Sequence, residues 1–136
     1  MSKIIAGKYK GRKIKISNLS NVRPTLAKVK KSIFQILEPF NDKKILDLYS
    51  GTGSIGLEFL SRGAREVVMV EKSRKLTSLL KQNISNIHLE DNYQIICNDV
   101  MKFLKINENK FDIIFADPPY DSIDFFKLKD SIDSSL

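Results

Sequence analysis

Four carboxylates are spaced so that they could act together. Asp47, Glu71, Asp99 and Asp117 each fall at or just past the end of a short apolar run. After Asp47 comes Ser50-Gly51-Thr52-Gly53, a turn rich in residues that accept positive φ or let a ligand approach closely. Gly51-x-Gly53-x-x-Gly56 fits a dinucleotide fingerprint, and Glu71, twenty positions after Gly51, stands where a ribose-binding acid belongs. Asp47 argues against a dinucleotide, because a carboxylate just before the turn repels a pyrophosphate and favours a cationic ligand. S-adenosyl-L-methionine is such a ligand, with a sulfonium, an amino group and no phosphate. A tight turn without a ligand is the plainer alternative, and three glycines between a strand and a helix disfavour it. For each acid taken alone the plain alternative is a helix N-cap, and for Asp99 the two readings are close to even.

The second chemical feature is Asp117-Pro118-Pro119-Tyr120. Two prolines stiffen the backbone and remove two amide donors, leaving nearby carbonyls free to accept. The Asp117 carboxylate can accept as well, and Tyr120 offers a flat face for a base. Acceptors around an exocyclic amine favour its pyramidal, nucleophilic geometry and stabilise charge that develops as a methyl group arrives. Alignment of nitrogen, methyl and sulfur supplies the rest, so neither a metal nor a covalent nucleophile is required. A plain strand-to-loop turn is the alternative for this tetrapeptide.

The elements that would position these groups alternate. Ile45, Leu46 and Leu48 form a strand, and Ile55, Leu57, Phe59 and Leu60 a helix stopped at Arg62-Gly63. A second strand spans Glu66 to Val70 and ends in Glu71. Ser73 caps a long helix carrying Leu76, Leu79, Leu80, Ile84 and Ile87. Tyr93 to Cys97 is a third strand closed by Asn98-Asp99, and Val100, Phe103 and Leu104 mark a short helix. Phe111 to Ala116 is a fourth strand, and a weak helix begins near Asp124 with Phe125, Leu128 and Ile132. This order predicts an α/β fold with a parallel, doubly wound, Rossmann-like sheet, on whose carboxyl edge all four acids converge.

Ahead of that core, residues 3–16 read as two short strands around Gly7 and Gly11, forming a basic hairpin with Tyr9 among its bases. Arg23-Pro24-Thr25 punctuates the chain, with Thr25 as an N-cap. Leu26, Val29, Ile33 and Ile36/Leu37 then predict a helix with that face down and Lys28, Lys30 and Lys31 in water, ended by Pro39 and Asn41-Asp42. Residues 1–44 hold twelve Lys or Arg against two acids, a net +10, and residues 45–136 hold eleven against fourteen, a net −3, which together give the +7 of the whole chain. A basic arm on a mildly acidic body suggests a polyanionic partner, with Lys8, Lys10, Arg12, Lys13, Lys28, Lys30 and Lys31 as its contacts. Length suits one folding unit, divided into a basic part at 1–43 and a core at 44–136. No apolar run reaches membrane-spanning length, and the basic start lacks a signal peptide's apolar centre. A single cysteine, Cys97, has no internal disulfide partner, so the cytoplasm is the expected compartment. Cys97 reads as a small buried residue and His88 as a solvated helix end.

Asp47 to Gly53 with Glu71, Asp99 and DPPY resembles the class I S-adenosylmethionine-dependent methyltransferases that act on amino groups. IIAGKYKGRKI, RPT, VKKSIFQIL and LDLYSGTGSIGLEFLSRGA resemble, in collinear order, the bacterial small-subunit rRNA guanine-N2 methyltransferases (RsmD-like). The resemblance implies methylation of the 2-amino group of a guanine in 16S rRNA, presented with assembled ribosomal proteins. It implies that the glycine turn holds the methionine part, Glu71 the ribose hydroxyls and Asp99 the adenine amino group, with Asp47, Tyr49, Ser50, Gly51, Gly53, Lys72, Asn98 and Val100 among the donor-binding residues. Arg23 and Thr25 would border donor or RNA. Asp117, Pro118, Pro119 and Tyr120 would receive a guanine swung out of its stack. Two departures stand out. Ala27, Lys28, Lys30 and Lys31 replace the acid and arginines usual after RPT, and the sheet of the family has seven strands where this chain reaches four. An exposed fourth-strand edge would invite self-association. Rival readings are an amino-methyltransferase acting on another RNA or on DNA adenine, a chain that binds donor or RNA without catalysis, and an NAD enzyme, which Asp47 disfavours.

Overall fold

In a computed structural model, residues 2–16, 27–37, 40–119 and 125–136 are described. Arg23, Pro24, Thr25, Leu26, Pro39, Tyr120 and Asp124, all singled out above, lie outside them. The chain runs β1 (Ser2–Lys3), β2 (Lys13–Ile14), α1 (Ala27–Leu37), β3 (Lys44–Leu48), α2 (Ser54–Ser61), β4 (Glu66–Glu71), α3 (Arg74–Asn86), β5 (Tyr93–Cys97), α4 (Val100–Ile106), β6 (Ile113–Ala116) and α5 (Phe125–Asp133). β1 and β2 pair antiparallel, Ser2 opposite Ile14. The other four strands form one parallel sheet in the order β5-β4-β3-β6.

Period-two alternation along β3 sends successive side chains to opposite faces. Ile45 joins a core with Phe34 of α1, Leu57 and Phe59 of α2, Val67 and Met69 of β4, and Leu80 and Ile84 of α3. Leu46 and Leu48 join Val68, Val70, Val100, Phe103, Leu104 and Leu128 on the other face. The sheet is thus wound on both sides, as its alternating sequence predicts. Ile4, Tyr9 and Ile14 belong to the first cluster, so the residues before β3 share its core. Phe34, Phe40 and Phe59 meet edge-to-face there, with centroids 4.6 to 5.7 Å apart, each pair adding about 0.5–1.5 kcal/mol to simple burial.

Two boundaries and one orientation differ from expectation. The fourth sheet strand starts at Ile113, opposite Ile45, because Phe111 donates its N–H away from the sheet, to Ser135 O at 3.0 Å. The long helix ends at Asn86, with Ile87 as its C-cap. Helix α1 is helical as expected but rotated about its axis: Phe34 and Lys30 are buried, whereas Val29 is 49% and Ile36 80% exposed. The cause is Glu58 on α2, a fully buried carboxylate that draws Lys30 inward.

Candidate active site

In a parallel sheet every strand's carboxyl end lies on the same edge. β3 has β4 on one side and β6 on the other, so the chain reverses its winding there, and in open α/β sheets ligands bind at such a point, between the loops that follow the two strands. The glycine turn follows β3, and Asp117-Pro118-Pro119 follows β6.

The turn is built from the backbone outward. Ser50 N–H and Oγ both donate to Val70 O, at 3.1 and 3.3 Å. Gly53 N–H closes the turn onto Ser50 O at 3.0 Å. Gly53 has φ 91°, and a Cβ there would stand 2.2 Å from Leu80 Cδ1, so both conformation and space call for glycine. Around Gly51, by contrast, nothing lies within 4 Å of where a Cβ would be. Gly53 is also the N-cap of α2 and supplies no side-chain acceptor to the helix's first amides.

Each acid is held differently. Asp47 alternates with Leu46 and Leu48 and points beneath α2; it is 1% exposed, and its Oδ2 has no hydrogen-bond partner among the described residues. Burial raises its pKa to about 8, eased by the nearby Gly56 amide and reinforced by the charges of Glu71 and Asp117. Glu71 accepts from Gly51 N–H and Ser73 N–H, both at 2.9 Å, and ties the turn to the end of β4. A carboxylate has about four acceptor positions, so two remain for a ligand. Asp99 is the N-cap of α4 and accepts from Lys102 N–H at 3.0 Å, the plainer of its two alternatives. Asp117 is exposed, Pro118 half-buried and Pro119 exposed. The four therefore gather at one rim, with Asp47 behind the turn rather than on its surface.

Their neighbours complete the rim. Tyr49 sits at φ 58°, half-buried, its hydroxyl pushed up to about 12 by burial and by Asp99. Asn98 accepts from Asp99 N–H at 2.8 Å, Val100 is buried and Lys72 is exposed. Sequence reasoning passed over Asn83 and Glu58, both fully buried polar side chains. A polar residue on the buried helical stripe was the available signal for Asn83. Among the described residues no cluster of His, Cys, Asp or Glu could hold a metal ion, and no helix is long and apolar enough to cross a membrane.

The basic arm departs from expectation at Lys30 and Tyr9, and the core at Cys97. Lys30, expected in water, is fully buried and paired with Glu58 Oε1 at 3.0 Å. Tyr9, expected among RNA-facing bases, is 2% exposed and donates its hydroxyl to Asp91 at 2.6 Å. Arg12 stacks over the Tyr9 ring at 4.9 Å and donates to Ile87 O. Lys8 is exposed and lies 3.8 Å from Asp91 and 4.0 Å from Glu90. Lys10, Lys13, Lys28 and Lys31 are exposed as expected. Cys97, expected to be buried, is exposed because β5 is an edge strand, and His88 is exposed just past α3.

This architecture is similar to that of known proteins. A candidate methyltransferase from Escherichia coli, YhhF, superimposes with a TM-score of 0.85 at 26% identity, covering 98% of this chain and 72% of that one. Ribosomal RNA small subunit methyltransferase D of Buchnera aphidicola is 38% identical over 119 residues, covering 86% of this chain and 62% of the relative. The protein of the same name from Haemophilus influenzae is 35% identical over 122 residues, covering 87% and 63%. The chain thus spans under two thirds of the length of these two relatives. Its sheet, and the reversal at the glycine turn, are those of a class I methyltransferase. Residues 2–134 match the family described as conserved hypothetical protein 95, to which this chain belongs, and the RsmD-like resemblance read from the sequence is borne out.

Proposed function

We propose that this chain transfers a methyl group from S-adenosyl-L-methionine to the exocyclic 2-amino group of a guanine in small-subunit rRNA. The observation that carries the reading is Asp47: a buried carboxylate without a hydrogen-bond partner on Oδ2, behind a glycine turn at the sheet's switch point. A buried acid keeps its proton unless something positive offsets the cost of its charge, and the open space at Gly51 leaves room for a ligand against the turn. The residues fit the donor. Asp47, Tyr49, Ser50, Gly51 and Gly53 would surround its methionine part, with the uncapped amides of α2 suited to a carboxylate. The spare acceptor positions of Glu71, beside Lys72, suit ribose hydroxyls; Asn98, Asp99 and Val100 suit the adenine, and Arg23 and Thr25 the border of the site. When bound, the donor supplies an electrophilic methyl on a sulfonium.

The protein's part is to hold the amine. The Asp117 carboxylate and the carbonyls around Pro118 and Pro119 accept hydrogen bonds from the 2-amino group, which favours its nucleophilic geometry. Tyr120 gives the extruded base a stacking face. Residues 1–43 form the RNA-contacting part and 44–136 the donor-binding core. Lys10, Lys13, Lys28 and Lys31 meet phosphates, joined by Lys8 and Arg12 once their internal partners are shared. Ribosomal proteins assembled on the RNA present the nucleotide, and the β6 edge is a surface for self-association. Calorimetry with S-adenosylmethionine, followed by transfer assays on small-subunit RNA with guanine or inosine at the target, tests the reading. Donor uptake and loss of transfer on inosine, which lacks the 2-amino group, are expected. Absence of donor heat, or equal transfer to inosine, overturns it.

A further inference from the structure

Asn83 lies on the buried side of α3 and is fully inaccessible. Its carboxamide makes three hydrogen bonds. Oδ1 accepts from Lys15 N–H at 2.9 Å, and Nδ2 donates to Lys15 O at 3.0 Å and to Thr52 O at 2.9 Å. Reversing the amide would set Nδ2 against an N–H and Oδ1 against two carbonyls, so the network fixes one orientation. Lys15 lies just past β2 in the basic arm, and Thr52 is the middle residue of Gly51-Thr52-Gly53. One side chain therefore hydrogen-bonds both the arm and the turn.

The rest of the arm is fastened elsewhere. Glu58 accepts from Ile5 and Ala6 N–H at 2.8 and 3.0 Å, and Ser61 takes Lys8 and Tyr9 N–H on its carbonyl and hydroxyl. Those contacts reach the body and far end of α2; among the described contacts of the arm, only Asn83 reaches the glycine turn.

We infer that Asn83 is a positioning residue that locks the glycine turn and the RNA-facing arm into one arrangement, so that the donor and RNA sites form as a unit. The inference rests on the function proposed above, yet its structural core can be read without any ligand. A buried amide bridging two carbonyls is lost outright if its donor is removed, and both segments then lose the same restraint.

The test compares the wild-type chain with Asn83→Asp and Lys15→Pro. Asn83→Asp keeps the shape and the acceptor facing Lys15 N–H but sets an oxygen against Lys15 O and Thr52 O. Lys15→Pro, at an exposed position, removes the N–H that Asn83 accepts while leaving Asn83 itself intact, and it keeps the inference testable should Asn83→Asp fail to fold. Native-state hydrogen exchange is followed at residues 2–16, at Gly51 and Gly53, and at β4 as a reference. In Asn83→Asp, exchange of arm and turn amides should rise together by about tenfold or more over β4; in Lys15→Pro, which leaves Nδ2 on Thr52 O, the rise should be largest in the arm and still reach Gly51 and Gly53. Calorimetry of the same samples should show S-adenosylmethionine affinity falling by about tenfold. A uniform rise that includes β4, a rise confined to the arm, or unchanged donor affinity in a folded variant overturns the inference. If the wild type takes up no donor, the proposed function fails, and exchange alone still decides whether Asn83 couples the two segments.

Discussion

At the scale of single residues, Asp47 gives the sharpest consequence. Its carboxyl has a folded pKa of about 8, against 3.8 for a free side chain. Between those values the folded chain keeps a proton that the unfolded chain has lost. The stabilisation is complete below the unfolded pKa and is lost as pH rises through about 8. Denaturant unfolding from pH 5 to 8 should therefore show the wild type losing stability relative to Asp47→Asn, by on the order of 1 kcal/mol per pH unit. Parallel curves would show that Asp47 is already ionised in the folded state. A cationic ligand favours the charged form, so donor binding at pH 7 should release protons. Calorimetry in two buffers of different ionisation heat would detect this, and Asp47→Asn should abolish it. After β6, Asp117→Ala is expected to remove transfer while leaving donor binding nearly intact; equal loss of both would contradict that division of labour.

Among the elements, α1 shows what local pattern can and cannot carry. The helix itself was legible from its apolar spacing. Its rotation was not, because Val29 and Ile36 are as apolar as Phe34 and no pattern within the helix says which stripe faces inward. The deciding group is Glu58 on another helix. Burial alone would push its carboxyl up, but the Ile5 amide, Arg62 and Lys30 outweigh burial and hold it below its usual value. Glu58 thus satisfies four donors, from Ile5, Ala6, Lys30 and Arg62. Its removal should cost more than removal of any one of them. Glu58→Ala is expected to lose about 3–5 kcal/mol in denaturant unfolding, because it leaves Lys30 charged and buried. Lys30→Met, which keeps the stem's packing and leaves Glu58 its other donors, should cost clearly less; the reverse order would mean that Lys3 O, which also accepts from Lys30 Nζ at 3.2 Å, holds the ammonium without Glu58. The site was more legible than the arm. The glycine turn, Glu71 and Asp117 are local signals at strand ends, and parallel pairing alone brings strand ends together. Asn83 and Tyr9 depend on contacts between segments far apart in the sequence, which spacing does not encode.

For the whole molecule the question is how much of the arm's net +10 can face RNA. Sequence charge counts every base equally, but the fold does not. Lys30 is fully buried, Arg12 is engaged over Tyr9, and Lys8 lies beside Asp91 and Glu90. Lys10, Lys13, Lys28 and Lys31 are exposed and would be the core of the proposed phosphate-facing set. Each lysine that neutralises a phosphate releases counterion, so the logarithm of RNA affinity falls with the logarithm of salt in proportion to the number of such contacts. Replacing Lys10, Lys13, Lys28 or Lys31 by alanine should each lower that slope by about 1 and weaken binding at low salt without changing the unfolding midpoint. Lys30→Met should do the opposite, moving the midpoint and leaving the slope alone, since a buried ammonium paired with Glu58 has no phosphate to meet. Titration of small-subunit RNA against each variant at several salt concentrations reads both quantities. A slope that drops for Lys30→Met as it does for Lys28→Ala would show that α1 turns its other face to RNA, and the arm's placement on Glu58 would be wrong.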